Sequence, residues 1–202
     1  MRQEDIVKAE RILIKQDPVL GALIKRQKLV PPAQRSDYFH SLSRSIIGQQ
    51  ISVAAALAIF TRFEAATQLK PENFLKLTPE DIKLIGLSKQ KANYIGDLAK
   101  HFVNDPNVYN HLERQTDEQV ITELTAIKGV GKWTAQAFLI FTLSRPDVFM
   151  PDDVGLQRAI IKLYDLAMLP PKSELEAIAE AWRPYRTIAS LHLWRSLANT
   201  PV

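Results

Sequence analysis

The sequence predicts an all-α protein, and three observations carry that prediction. Apolar residues recur at spacings of three and four along nearly all of the 202 residues, as one face of a helix requires. The alternating β-branched runs that mark strands are missing. Proline, glycine and hydroxyl residues fall where helices would start and stop. On this basis helices are expected over residues 3–16, 18–27, 38–47, 51–66, 71–76, 79–85, 89–103, 117–126, 132–143, 154–165, 174–182 and 185–198.

In chain order, the first of these follows Met-Arg-Gln-Glu-Asp and is amphipathic and charged, with no apolar segment of the kind a secretion signal needs. Pro31-Pro32 breaks the chain after the second pattern and Pro170-Pro171 after the tenth, so both are read as lobe junctions rather than flexible linkers. Gly48-Gln49-Gln50 separates the third and fourth with two adjacent amides, which fits a polar helix junction as well as it fits a functional site. Thr78-Pro79-Glu80-Asp81 offers the sixth helix an N-cap, a proline at its first position and an acidic first turn, and Gly86 stands where a glycine would close it. Ser88 and Ser173 are candidate caps. Thr116, with Asp117 and Glu118 behind it, opens the eighth helix, and Leu124 and Ile127 anchor its far end. No fixed-period repeat is present, which argues against a solenoid.

Composition narrows the class. With 46% hydrophobic and 24% charged residues the chain can bury a substantial core and is not a disordered tail. A net charge of +4 suits a polyanionic partner without requiring one. The absence of cysteine excludes disulfides, thiolate zinc sites and cysteine-held iron–sulfur clusters. No apolar stretch approaches membrane-spanning length, so a soluble cytosolic protein with no membrane partner is expected.

The most informative segment is Lys128-Gly129-Val130-Gly131-Lys132-Trp133-Thr134-Ala135, followed one helix length later by Met150-Pro151-Asp152-Asp153-Val154. The glycines lie in a tight hairpin between two helices, where they can take φ > 0 and let another backbone approach. Free N–H groups at the start of the second helix, with Lys132 beside them, favour a phosphate. Taken alone, Gly-Val-Gly is equally an ordinary helical hairpin, and aspartates before a helix are routine caps. Together they place a carboxylate after a phosphate clamp.

With Ile46-Ile47-Gly48-Gln49-Gln50-Ile51-Ser52 upstream, Asp147-Val148-Phe149-Met150-Pro151-Asp152-Asp153 behind the hairpin, and Trp182-Arg183-Pro184-Tyr185-Arg186 and Leu191-His192-Leu193-Trp194 near the end, the chain resembles the helix-hairpin-helix DNA glycosylase superfamily (HhH-GPD), and within it the 3-methyladenine DNA glycosylase II group. The resemblance runs from about Phe39 to the C-terminus. It implies one HhH-GPD domain over 1–202 in two helical lobes with the active-site cleft between them: a central lobe of about 40–150 that includes the hairpin 124–135, and a second lobe from 1–38 with about 154–202. It implies a monomer that acts on double-stranded DNA containing damaged bases, cytoplasmic in a bacterium or archaeon and nuclear in a eukaryote.

The same resemblance assigns roles. Asp153 is the expected catalytic carboxylate, with Asp152 a cap for the following helix. A fixed anion beside C1′ stabilises the positive charge that develops as an N-glycosidic bond breaks. Gly129, Gly131, Lys132, Trp133 and Thr134 are expected on the DNA backbone. Gln50 is expected as the wedge that fills the gap left by a flipped base, with Trp133, Trp194 and Gln49 in the base pocket, Gln49 in its wall or facing the orphaned base, and Trp182 in the core. Members that cleave the strand carry a lysine before the Thr-Ala of the hairpin helix; this chain has Trp133, which cannot form a Schiff base, while Lys132 faces about 100° away. A monofunctional enzyme is therefore expected. An indole also favours cationic, alkylated purines by cation–π attraction. The carbonyls of Thr125, Ile127 and Val130 match a site for Na+ or K+, with no cofactor otherwise required. The pattern departs from some members at Ala137 and Val154, where aromatics are replaced, which implies a roomier pocket. Deaminated or other purine lesions as substrate, a DNA-binding protein without catalysis, and a helical interaction domain are the alternatives.

Overall fold

The computed structural model describes residues 1–32 and 37–197. Among the described residues there are helices and connecting turns and no strand: α1 (Gln3–Gln16), α2 (Pro18–Ile24), α3 (Tyr38–Gly48), α4 (Val53–Thr67), α5 (Pro71–Phe74), α6 (Pro79–Ile85), α7 (Lys89–Asn104), a 3-10 helix (Asn110–Arg114), α8 (Asp117–Thr125), α9 (Lys132–Phe141), α10 (Val154–Leu163), α11 (Lys172–Glu180) and α12 (Arg186–Ser196). The all-α expectation holds in type and order. No described helix is long and apolar enough to cross a membrane.

The ends are set by caps. The Thr78 hydroxyl accepts the Asp81 N–H while the Asp81 carboxylate accepts the Thr78 N–H, and Gly86 closes α6 at φ +91°. Thr116 and Gln119 make the same reciprocal pair at α8, and Ser88 accepts the Lys91 N–H at α7. Ser173 does not cap. Pro171 holds that position and α11 begins at Lys172, so Ser173 lies within the first turn. Several helices are shorter than their periodic patterns: α2 ends at Ile24, α5 at Phe74 and α9 at Phe141. Apolar spacing persists past a helix end because turn residues also bury side chains. The 3-10 helix falls where no pattern pointed. The last residue of the expected helix 185–198 lies outside the described residues.

The chain divides into two compact units, Arg35–Phe138 and Met1–Gln34 with Leu139–Pro201. The division falls inside α9, earlier than the boundary near 150 read from the sequence. In the central unit α3 packs on α4 and α7, and α5 packs on α4 and α7. Phe39, Leu42, Ile46 and Ile47 form the buried stripe of α3, and Ile95, Leu98, Ala99 and Phe102 that of α7. Phe39, Phe60, Phe63, Phe74 and Phe102 form a run of ring contacts beneath them. Each such side chain contributes about 1.5–3 kcal/mol on burial.

In the terminal unit α12 is the centre, packed on α1, α2 and α10 and buried from Thr187 to Trp194. A helix buried all round must satisfy its polar side chains locally. Thr187 donates to the Arg145 carbonyl and accepts the Val148 N–H; Ser190 donates to the Arg186 carbonyl. His192 lies between Glu10 and Gln27 at 3.0 Å from each. Asp17 ties the first helices to this unit: it accepts the Val19 and Leu20 N–H groups, the Tyr164 hydroxyl and the Trp182 indole N–H.

Candidate active site

The hairpin consists of α8, the turn Ala126–Gly131 and α9. Ile127 and Val130 are buried and pin the turn to the core, and the Val130 N–H donates to the Ile127 carbonyl. Gly129 has φ +85°, the left-handed region that a glycine takes without strain. A Cβ there would sit 2.2 Å from Cδ2 of Tyr94, so this glycine also lets an α7 ring approach the turn. Gly131 differs. It is outside the left-handed region, and a Cβ there would meet nothing within 4 Å. Gly131 is the N-cap of the exposed start of α9, its carbonyl accepting the Ala135 N–H, a position that favours glycine over alanine. Lys132 is exposed, Trp133 half-buried and Thr134 buried.

The loop after α3 reaches the same turn. The Gln49 amide donates to the Gly129 carbonyl at 2.9 Å and to the Thr134 hydroxyl at 3.2 Å. It therefore ties the end of α3 to the hairpin, and the side chain is half-buried. Gln50 is exposed, with φ 58°. Lys91, which sequence reading passed over, donates to the Ile47 and Gln49 carbonyls at 2.7 Å each.

The carboxylate site lies in the terminal unit. Asp153 is 7% exposed and is the N-cap of α10. Its Oδ1 accepts the Leu156 N–H at 2.7 Å and the Trp194 indole N–H at 2.8 Å. Two N–H donors on one oxygen fix the plane of the carboxylate. The expectation that Asp152 caps this helix is overturned: Asp152 is exposed and pairs with Lys172 at 2.7 Å, and Asp153 takes the capping bond itself. Trp194 is 1% exposed, stacks against Phe141 and holds Asp153 through its indole N–H. Gly155 was not read from the sequence. A Cβ there would lie 3.0 Å from Oδ1 of Asp153 and 3.2 Å from Cδ1 of Trp194, so a larger residue would make that bonded pair give way by a few tenths of an ångström.

The other motif residues are scaffold. Arg186 donates to both carboxylate oxygens of Asp147, Arg183 adds a bond to one of them, and this fastens the loop that leads to Asp153. Trp182 is fully buried, as expected of a core residue. No group of three or more His, Cys, Asp or Glu among the described residues could hold a metal ion, and the carbonyls of Thr125, Ile127 and Val130 are the matching set for a monovalent cation by resemblance alone.

Known proteins match this arrangement. Residues 43–184 match the family described as the HhH-GPD superfamily base excision DNA repair protein. The Bacillus subtilis protein YfjP is 30% identical over 187 residues, 88% of this chain, and the chain spans 65% of its length. The structure of Schizosaccharomyces pombe 3-methyladenine DNA glycosylase Mag1 in complex with abasic DNA superposes with a TM-score of 0.83 at 27% identity, covering 96% of this chain and 98% of that one. A DNA-3-methyladenine glycosidase from Bacillus halodurans superposes with a TM-score of 0.79 at 36% identity, covering 93% and 88% of the two chains. By the match over residues 43–184 and by these relatives, the chain belongs to the HhH-GPD superfamily of base excision DNA repair proteins, in its 3-methyladenine DNA glycosylase group.

Proposed function

We propose that the protein is a monofunctional DNA glycosylase that hydrolyses the N-glycosidic bond of flipped-out alkylated purines, 3-methyladenine and 7-methylguanine among them, and leaves an abasic site in duplex DNA. The observation that carries this reading is Asp153: a carboxylate withdrawn from water and oriented by the Leu156 and Trp194 N–H groups. As the C1′–N bond breaks, its electron pair leaves with the base and the sugar becomes cationic. A fixed anion stabilises that charge, and it needs no reorganisation to do so. Water then adds its oxygen to C1′ and gives up a proton, with Asp153 as the acceptor. Alkylation at N3 or N7 makes the base cationic, hence a better leaving group and a better partner for the half-buried indole of Trp133.

Gly129, Gly131, Lys132, Trp133 and Thr134 hold the DNA backbone in this account, and the open space at Gly131 supports it. The complex of Mag1 with abasic DNA supports duplex DNA as the partner. Gln50, exposed at the loop tip, is the wedge. Gln49 and Trp194 act behind the reactive groups, on the hairpin and on Asp153. A Na+ or K+ ion on the carbonyls of Thr125, Ile127 and Val130 would add positive charge to the phosphate site. The absence of lyase activity rests on Trp133 at the position of a Schiff-base lysine. Borohydride trapping on DNA with a single 7-methylguanine tests it: base release without a covalent protein–DNA adduct is expected, and an adduct through a lysine would overturn the hydrolytic assignment.

A further inference from the structure

Lys91 lies in the first turn of α7 and donates its ammonium to the carbonyls of Ile47 and Gln49, both at 2.7 Å. These carbonyls end α3, where the helix dipole is negative, and a cation is favoured there. Burial holds the Lys91 ammonium below its ordinary pKa, so this lysine is partly withdrawn from solvent to make these bonds. It is not a spare surface charge.

The bonds matter because the next residue in the chain has an unusual backbone. Gln50 takes φ 58°, a conformation that side chains other than glycine rarely adopt. Such backbone persists only where its surroundings over-determine it. Three anchors do so here. Lys91 holds the Gln49 carbonyl, the Gln49 side chain holds Gly129 and Thr134, and Ser52 caps α4 through the Ala55 N–H. Gln50 and Ile51 are left as a two-residue exposed tip between fixed ends. Three residues on from Lys91, the Tyr94 ring lies against Gly129. One face of α7 thus holds the wedge loop through Lys91 and the phosphate turn through Tyr94.

We propose that Lys91 is a positioning residue for base extrusion: it braces the end of α3 so that Gln50 enters the duplex at a fixed distance from the phosphates gripped by the hairpin. The proposal rests on the reading of Gln50 as the wedge. A load on the tip from the DNA stack passes to the α3 carbonyls and from there to Lys91. Without the ammonium the tip yields, and the damaged base stays in the stack while the hairpin still binds backbone.

The test is single-turnover excision of 7-methylguanine from duplex DNA by the full chain, alongside affinity for a duplex with a tetrahydrofuran abasic site, which needs no extrusion. Lys91→Met is expected to slow excision by about tenfold or more, with abasic-duplex affinity within about twofold and Lys91→Arg restoring most of the rate. In a Gln50→Ala background Lys91→Met should cost no further rate, because it acts through Gln50. Parental excision by Lys91→Met overturns the proposal, and so does a parallel loss of abasic-duplex affinity, which marks a general structural role. If Lys91→Met does not fold, Lys91→Gln carries the same comparison. Parental excision by Gln50→Ala instead overturns the wedge reading, whereas impaired Gln50→Ala with parental Lys91→Met removes only the brace.

Discussion

The hairpin of the central unit and the carboxylate of the terminal unit are built for opposite tasks. The hairpin leaves space: Gly131 and Lys132 are exposed, and among the described residues nothing fills the position a Cβ would take at Gly131. The carboxylate removes it: Asp153 is buried, bonded twice through one oxygen, and so close to Gly155 that a Cβ there would press on it at 3.0 Å. A surface that meets a long polyanion gains from open N–H groups and mobile charge. A group that must meet developing charge at one carbon gains from being already in place. Under the proposed function binding and chemistry therefore separate, and substitutions in the two regions should fail in different ways.

The largest effect is expected at Asp153. Asp153→Asn keeps a capping oxygen for the Leu156 N–H but loses the anion, so excision should fall by about a thousandfold or more with little change in thermal stability or DNA affinity. Asp153→Ala should lose excision and in addition about 1 kcal/mol of stability, read by denaturant unfolding, because the α10 cap goes too. Gly155→Ala comes next. Its methyl displaces either the carboxylate or the Trp194 indole, and a loss of about ten- to a hundredfold in single-turnover rate at unchanged DNA affinity is expected. Parental rates in Gly155→Ala would break the claim that the carboxylate is held in place.

Hairpin substitutions should do the reverse. Gly131→Ala and Lys132→Met are expected to weaken duplex binding several-fold while saturating excision rates stay near parental, and Lys132→Met should lower the salt dependence of binding by about one unit of slope. Gly129→Ala separates the two glycines. It strains a left-handed position and meets the Tyr94 ring, so it should cost about 1–3 kcal/mol of fold stability, whereas Gly131→Ala, at an N-cap without strain or a clash, should cost less. Equal stability losses at the two positions would blur the comparison.

The smallest effect on excision comes from His192, whose role is structural. Burial pushes its imidazole down from the ordinary 6.5 to about 4, with the Arg195 charge adding to the shift. Both ring nitrogens face Glu10 and Gln27, and a neutral ring fits if the Gln27 amide turns its NH2 toward Nδ1. A base with a depressed folded-state pKa stabilises fully above its unfolded value and loses that contribution as pH falls. Unfolding free energy should therefore decline from about pH 6.5 toward pH 4, and less so in His192→Gln.

What the sequence made legible was mostly local. Thr78, Ser88 and Thr116 could be read as caps because their partners lie three residues away. Ser173 was misread because a hydroxyl near a helix start looks the same whether it caps or lies inside the first turn. Adjacent Asp152 and Asp153 were given separate roles, capping and chemistry. In the fold Asp153 makes the capping bond with the same oxygen that Trp194 holds, and Asp152 turns to Lys172. Lys91, Tyr94 and Gly155 were invisible for a different reason: their partners are set by packing, as for Lys91 on carbonyls 42 and 44 residues away. The open Cβ position at Gly131 is likewise a property of surroundings, and no spacing in the sequence distinguishes that glycine from Gly129.

In the proposed mechanism Asp153 drives bond cleavage and the hairpin does not. The most direct measurement of this is release of free 3-methyladenine and 7-methylguanine from methylated duplex DNA, followed by chromatography at saturating enzyme, for the parent chain, Asp153→Asn and Lys132→Met. Release by the parent and by Lys132→Met, with none from Asp153→Asn, is the predicted result. Release by Asp153→Asn at a rate near the parent's would contradict it.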